Sequence, residues 1–178
     1  SDVFPGVGRF LLRVTMTEDQ FFAEAQGAYM KLIHLMEPDE AKATILALAP
    51  RCDDVLTAAL LTGDSWRERL YGLVLACHKD IAYLFPGVVR GFLDVRGISS
   101  VPAASVLSIA ICDFGCPCPS EQFADANLEA LDGEFGWCIA CIQHDLGLTA
   151  PPSPRSGPNY DQSYAKHREL YRSLCRPE

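Results

Sequence analysis

Residues 65–77 read SWRERLYGLVLAC, and their spacing is that of a helix with one apolar face. An apolar side chain recurs every three or four positions, at Trp66, Leu70, Leu73, Val74 and Cys77. The charged residues Arg67, Glu68 and Arg69 fill the opposite face, which we expect to meet solvent. This pattern predicts a helix that begins at Ser65 and a core built from helices.

The same spacing extends in both directions from this segment. Thr17 and Gln20 form a capping-box pattern that opens a helix running to Pro38. The helix that follows Ser65–Cys77 is predicted over residues 81–92 and contains Pro86. This proline predicts a kink or a break within that helix. Further helices are predicted over residues 39–49, 53–62, 101–112, 120–131 and 134–146. Because strand patterns are almost absent, the sequence predicts an all-α fold of about eight to nine helices.

Composition changes near the C-terminus and divides the chain into three parts. Residues 1–149 form the predicted helical domain, and residues 150–159 form a linker that holds four prolines. Residues 160–178 form a last helix that we expect to dock on the domain. Its apolar stripe is rich in tyrosine: Tyr160, Tyr164, His167, Tyr171 and Leu174.

Charge limits the classes of partner. The 178 residues include 15 Lys and Arg against 23 Asp and Glu, a net charge of −8. An acidic surface does not neutralise phosphates, so nucleic acids and anionic membranes are not expected partners. The longest apolar run, residues 101–112, is too short to span a bilayer, and no leader sequence is evident. We therefore expect a cytoplasmic protein that attracts basic proteins.

Catalytic signatures are missing from the sequence. Residues Gly63, Asp64 and Ser65 match the start of a serine-esterase block. The preceding strand and the late Asp-x-x-His pair that such enzymes need do not accompany it, so Asp64 or Ser65 is better explained as a helix cap. Phosphate-binding and nucleophile-elbow motifs are also absent. We predict no enzyme activity, no catalytic residue and no cofactor.

Eight cysteines raise the question of a metal site. Cys138, Cys141 and His144 lie at helical spacing, and three more thiols precede them at Cys112, Cys116 and Cys118. Zinc requires four ligands in a tetrahedron, usually from tight turns, whereas Cys138 and Cys141 fall in an apolar helical run. We predict reduced, buried thiols and no bound metal. A zinc site remains an alternative, and Cys116 and Cys118 are left open between free, disulfide-bonded and metal-bound states.

Two segments resemble a known family. Residues 65–72 follow a Trp-x-x-Arg-Leu-x-Gly pattern, and residues 134–140 form an aromatic, Trp-containing helix that leads to Asp145, Leu146 and Gly147. Together they resemble a HEAT-like, all-helical family of small bacterial immunity proteins found beside polymorphic toxins. The resemblance covers about residues 50–150. It departs from the family where Asp145-Leu146-Gly147 is shorter than the usual Asp-x-x-Gly ending.

The resemblance implies a short HEAT-like α-solenoid, while the helix pattern fits an irregular helical bundle equally well. It also implies a non-enzymatic immunity protein that occludes a cognate secreted toxin. We expect Trp66, Arg67 and Trp137 as anchors, although both tryptophans fit a core position as well. The charged rim of this interface would be Asp64, Asp94 and Glu134. An adaptor that binds through its tyrosine-rich last helix is the alternative of another class.

Overall fold

The computed structural model describes residues 15–94, 99–125, 133–152 and 160–175. Every regular element in these ranges is helical, which confirms the all-α prediction. The predicted linker from residue 153 onward, the second half of the predicted 120–131 helix, and residues 1–14 lie outside the described residues. A 3₁₀ turn spans Ala49–Arg51. The α-helices are α1 (Glu18–Ala25), α2 (Ala28–Ile33), α3 (Pro38–Leu48), α4 (Asp54–Leu61), α5 (Trp66–Lys79), α6 (Ile81–Leu93), α7 (Ser100–Phe114), α8 (Ser120–Asp125), α9 (Gly133–Asp145) and α10 (Tyr160–Cys175).

Short polar side chains begin several of these helices. The capping box of Thr17 and Gln20 forms as predicted, with each side chain bonded to the other residue's backbone nitrogen. Ser65 and Glu68 make a second capping box that begins α5. Asp53 likewise accepts a hydrogen bond from a backbone nitrogen in the first turn of α4. Because each cap satisfies an amide that lacks a helical partner, it fixes where the helix starts.

Two predicted helices differ from the observed ones. The segment from Thr17 to Pro38 is not one helix, because Gln26 and Gly27 both take left-handed backbone angles, with φ of 52° and 75°. Two consecutive residues in this conformation end α1 and redirect the chain into α2. Of the kink or break predicted at Pro86, the break is wrong, because α6 continues through this residue. Pro86 and Ala82 are both exposed, so water can satisfy the Ala82 carbonyl that proline leaves without a helical donor.

The centre of the fold is α7. Its residues from Ser100 to Ile111 are all buried, as expected for a helix that is apolar on every side. Helices α6, α9 and α10 pack against it. Because α10 also packs on α5, the end of the chain closes back on its middle. In an open solenoid each repeat contacts only its neighbours, so the architecture is that of an irregular helical bundle.

Glycines allow α4 to pass very close to α5 and α6. A Cβ atom placed on Gly72 of α5 would lie 2.6 Å from the backbone nitrogen of Leu61. One placed on Gly91 of α6 would lie 2.3 Å from the carbonyl oxygen of the same residue. Both distances are far below van der Waals contact. The end of α4 is therefore held in a notch that only glycine can form on each side.

Candidate protein-binding surface

Three side chains at the start of α5 form a compact surface group, which we call the Trp66 cluster: Tyr29, Trp66 and Arg67. The rings of Tyr29 and Trp66 meet edge to face, with centroids 5.4 Å apart and planes at 87°. The guanidinium carbon of Arg67 lies 5.3 Å from the Tyr29 centroid and 5.2 Å from the Trp66 centroid. Trp66 is half-buried and Arg67 is exposed. The cation–π contacts hold Arg67 across the two rings.

The core fixes this cluster from below. The ring of Tyr29 also meets that of Tyr71, with centroids 6.0 Å apart, and Tyr71 is completely buried. Phe21 and Phe22 contact the ring of Tyr71 edge to face. Burial raises the pKa of Tyr71 to about 12, so its ring carries no charge near neutral pH. A line of packed rings thus runs from the interior to Trp66 and limits the motion of the exposed group.

The predicted rim residues have different positions. Asp64 is exposed two residues before Trp66, at the N-terminus of α5, so it adds negative charge beside the cluster. Asp94 lies at the end of α6, where its carboxylate bonds to Arg69 at 2.9 Å. Glu134 is in the first turn of α9, a helix that packs on α7. Asp64 is therefore next to the Trp66 cluster along the chain, whereas Asp94 and Glu134 lie on other helices.

The third predicted anchor, Trp137, lies in the core. Its side chain is only 7% exposed, and its ring contacts that of Tyr164 edge to face at 6.0 Å. Trp137 thus occupies the core position that its sequence pattern also fits, and the prediction of an exposed anchor at this residue is wrong. A partner reaching this ring would first have to separate α9 from α10.

The prediction that the charged face of α5 meets solvent is wrong at Arg69. This residue was expected beside Arg67 and Glu68 in water, but only 3% of its side chain is exposed. Its guanidinium donates to the carbonyl oxygens of Gly63 at 2.8 Å and of Gly91 at 2.9 Å. It also donates to both the carbonyl and the carboxylate of Asp94. Arg69 is buried because it satisfies carbonyls at the end of α6, which have no helical donor.

A polar node that sequence reasoning missed centres on Asp145. Its carboxylate accepts hydrogen bonds from Ser108 Oγ at 2.6 Å and from Tyr164 Oη at 2.5 Å. Arg168 Nη1 lies 3.5 Å from its other oxygen. Burial, and then the bond to Asp145, raises the pKa of Tyr164 well above its ordinary value. The node links α7, α9 and α10. The only sequence signal for it was the position of Asp145 at the start of the Asp145-Leu146-Gly147 ending, which resembles the family pattern.

The acidic turns are partly neutralised within the chain. Asp39 pairs with Lys42 at 3.0 Å, Asp54 with Lys79 at 3.1 Å, and Asp113 with Arg172 at 2.7 Å. The first two pairs have an exposed carboxylate and contribute about 1 kcal/mol or less, so an approaching cation can compete for them, whereas Asp113 is only 15% exposed. Asp132 lies outside the described residues.

Cys52, Cys77, Cys112, Cys116 and Cys118 are free thiols. Cys138 and Cys141 are buried in α9, while Cys116 and Cys118 are half-buried in the turn before α8. In the part of the chain that the structure describes, no group of three His, Cys, Asp or Glu side chains is arranged to hold a metal ion. The same residues include no helix that is both long enough and apolar enough to cross a bilayer.

No family model, curated protein or solved structure matches this chain.

Proposed function

We propose that this chain is a cytoplasmic immunity protein that binds a cognate secreted toxin and blocks it by occlusion, without catalysis. The observation that carries the proposal is the Trp66 cluster. Tryptophan, tyrosine and arginine are the residue types that contribute most often to binding hot spots. In this cluster they are partly exposed, in mutual contact and supported by the core.

Preorganisation makes such a cluster suitable for tight binding. A side chain that is already fixed loses little conformational entropy when a partner covers it. Trp66 is fixed by Tyr29 at its edge and by the capping box that begins α5. Arg67 lies across both rings and is exposed. We infer that the cluster docks into the toxin with little rearrangement.

The net charge of this chain supports a toxin whose contact surface is basic. The net charge of −8 attracts a basic protein over a long range and raises its association rate. Asp64 places one of these charges beside the cluster. We expect salt to slow association with the toxin more than it speeds dissociation.

The alternatives have less support among the described residues. An adaptor that uses the stripe of the last helix would need Tyr164, His167 and Tyr171, and all three are buried against the bundle. A zinc protein would need the thiols to converge, and those of the predicted cluster are divided among α7, the turn before α8 and the buried face of α9.

The test uses a secreted toxin encoded beside the gene for this chain. We expect the purified pair to form a complex, and coexpression of this chain to protect cells from the toxin. Trp66→Ala and Arg67→Ala should each weaken binding about tenfold or more, which is the loss of roughly 1.4 kcal/mol.

Met36→Ala is the matched control, because Met36 is 63% exposed but lies on the turn between α2 and α3. It should leave binding unchanged. Failure of the neighbouring toxin to bind, or equal losses from the control and the Trp66 variant, would contradict the proposal.

A further inference from the structure

A second surface, separate from the Trp66 cluster, exposes apolar side chains along the outer side of α6. Tyr83 is 67% exposed, and Val55 of the neighbouring α4 is 77% exposed. Pro86 and Arg90 continue the line of Tyr83 along the helix at helical spacing, and both are exposed. We call the line formed by Tyr83, Pro86 and Arg90 the α6 ridge.

Grooves flank the α6 ridge on both sides. The groove toward α4 has a volume of about 500 Å³ and is lined by Val55, Ala58 and Tyr83. The groove on the other side has a volume of about 750 Å³ and runs between α6 and the turn at Pro117 and Pro119. Pro86 lines both grooves. A raised helix between two apolar grooves has the shape that packs against another helix of the same kind.

The charges along α6 are also self-complementary. Asp80 begins the helix and is exposed, and Arg90 lies ten residues later, about 15 Å along the axis. If two α6 helices crossed in antiparallel directions, Arg90 of each would approach Asp80 of the other. A two-fold axis requires this property, because the same surface must supply both halves of each contact.

We propose that the α6 ridge is a two-fold interface between two copies of this chain. The ridge of each copy packs into a groove of the other, with Tyr83 as the main apolar contact and Arg90 beside Asp80 as the charged one. The two-fold arrangement is favoured because the centre of the surface is apolar and because Arg90 and Asp80 supply opposite charges at the two ends of the same helix. The Trp66 cluster stays outside the contact and remains available for a toxin.

Sedimentation velocity of the full chain, from low micromolar to several hundred micromolar, tests the proposal. We expect a concentration-dependent shift from monomer to dimer. Tyr83→Glu should weaken dimerisation at least tenfold, because it buries a charge in the apolar contact. Arg90→Glu should weaken it too, by repelling Asp80. Added salt should preserve or strengthen the dimer, because it screens the repulsion between two chains of charge −8.

Met36→Glu is the control, since Met36 is exposed to nearly the same extent as Tyr83 but lies in the turn between α2 and α3. It adds the same charge and should leave the dimer intact. Circular dichroism and thermal melting of each variant verify the fold. A wild-type chain that stays monomeric over the whole range would overturn the proposal, as would a control that weakens the dimer as much as Tyr83→Glu.

Discussion

Arg69 and Asp94 join the start of α5 to the end of α6 through a buried guanidinium. Arg69 Nη2 donates to the Asp94 carboxylate at 2.9 Å, and Nη1 donates to the Asp94 carbonyl. The same side chain reaches the carbonyls of Gly63 and Gly91, so one residue bonds to two helix-terminal segments. These hydrogen bonds fix the angle at which α5 and α6 meet. They thereby support the helix that carries Trp66 and Arg67.

Arg69→Ala should lower the free energy of unfolding by about 3 kcal/mol, because it leaves buried carbonyls without donors and opens a cavity. Arg67→Ala, two positions earlier on the same helix, should lower it by less than about 1 kcal/mol, since that side chain is exposed. Urea unfolding of the two variants measures the difference. Equal effects would show that Arg69 does not act through its buried hydrogen bonds.

Gly91→Ala should destabilise the protein by about 2 kcal/mol or more. Alanine is the better helix former by about 1 kcal/mol, but its Cβ would overlap the carbonyl oxygen of Leu61 and push α4 away from α6. Gly136→Ala in α9 is the matched control, because nothing lies within 4 Å of the added atom. That substitution should stabilise the protein. Thermal melting distinguishes the two, and a gain in stability from Gly91→Ala would exclude the close crossing.

Tyr164→Phe should lower the free energy of unfolding by about 1.5–3 kcal/mol, because it removes a hydrogen bond to the Asp145 carboxylate. We expect the loss to appear first in α10, as faster amide hydrogen exchange in that helix. Tyr83→Phe removes the same hydroxyl from an exposed ring and should change stability by less than about 0.5 kcal/mol. Unchanged exchange in α10 would contradict a role of the Asp145 node in holding it.

Stability should fall below neutral pH because of His167. Its ring is 1% exposed, and burial lowers its pKa from 6.5 to about 4 in the folded chain. The unfolded chain therefore binds a proton more readily than the folded one between these values. The resulting stability is complete above pH 6.5 and is lost as the pH falls toward 4, by about 3 kcal/mol in all.

Urea unfolding at several pH values between 4 and 7.5 measures this loss. His167→Asn should flatten the pH dependence, whereas His34→Asn, at an exposed position, should leave it unchanged. A pH dependence that survives in His167→Asn would assign the loss to other groups.

The sequence predicted local structure well where a single segment carried the signal. The capping patterns at Thr17 and Ser65 located the starts of two helices, and the apolar run at residues 101–112 identified the central one. The sequence did not predict the break at Gln26 and Gly27. Of these two residues, only the glycine suggests a left-handed backbone conformation. The sequence also did not predict the burial of Arg69, since an arginine on the polar side of a helix is ordinarily in solvent.

Helix periodicity and capping residues alone were sufficient to establish that this chain is all-helical, because both depend on interactions within a few residues. The net charge likewise follows from composition. Which side chains meet was decided only by the tertiary structure. Trp66 and Arg67 stand with Tyr29 at the surface while Trp137 is covered by α10, and Asp145 binds groups from two other helices. Such contacts depend on how helices that are distant in the chain cross, and the local pattern of a helix does not encode its neighbour.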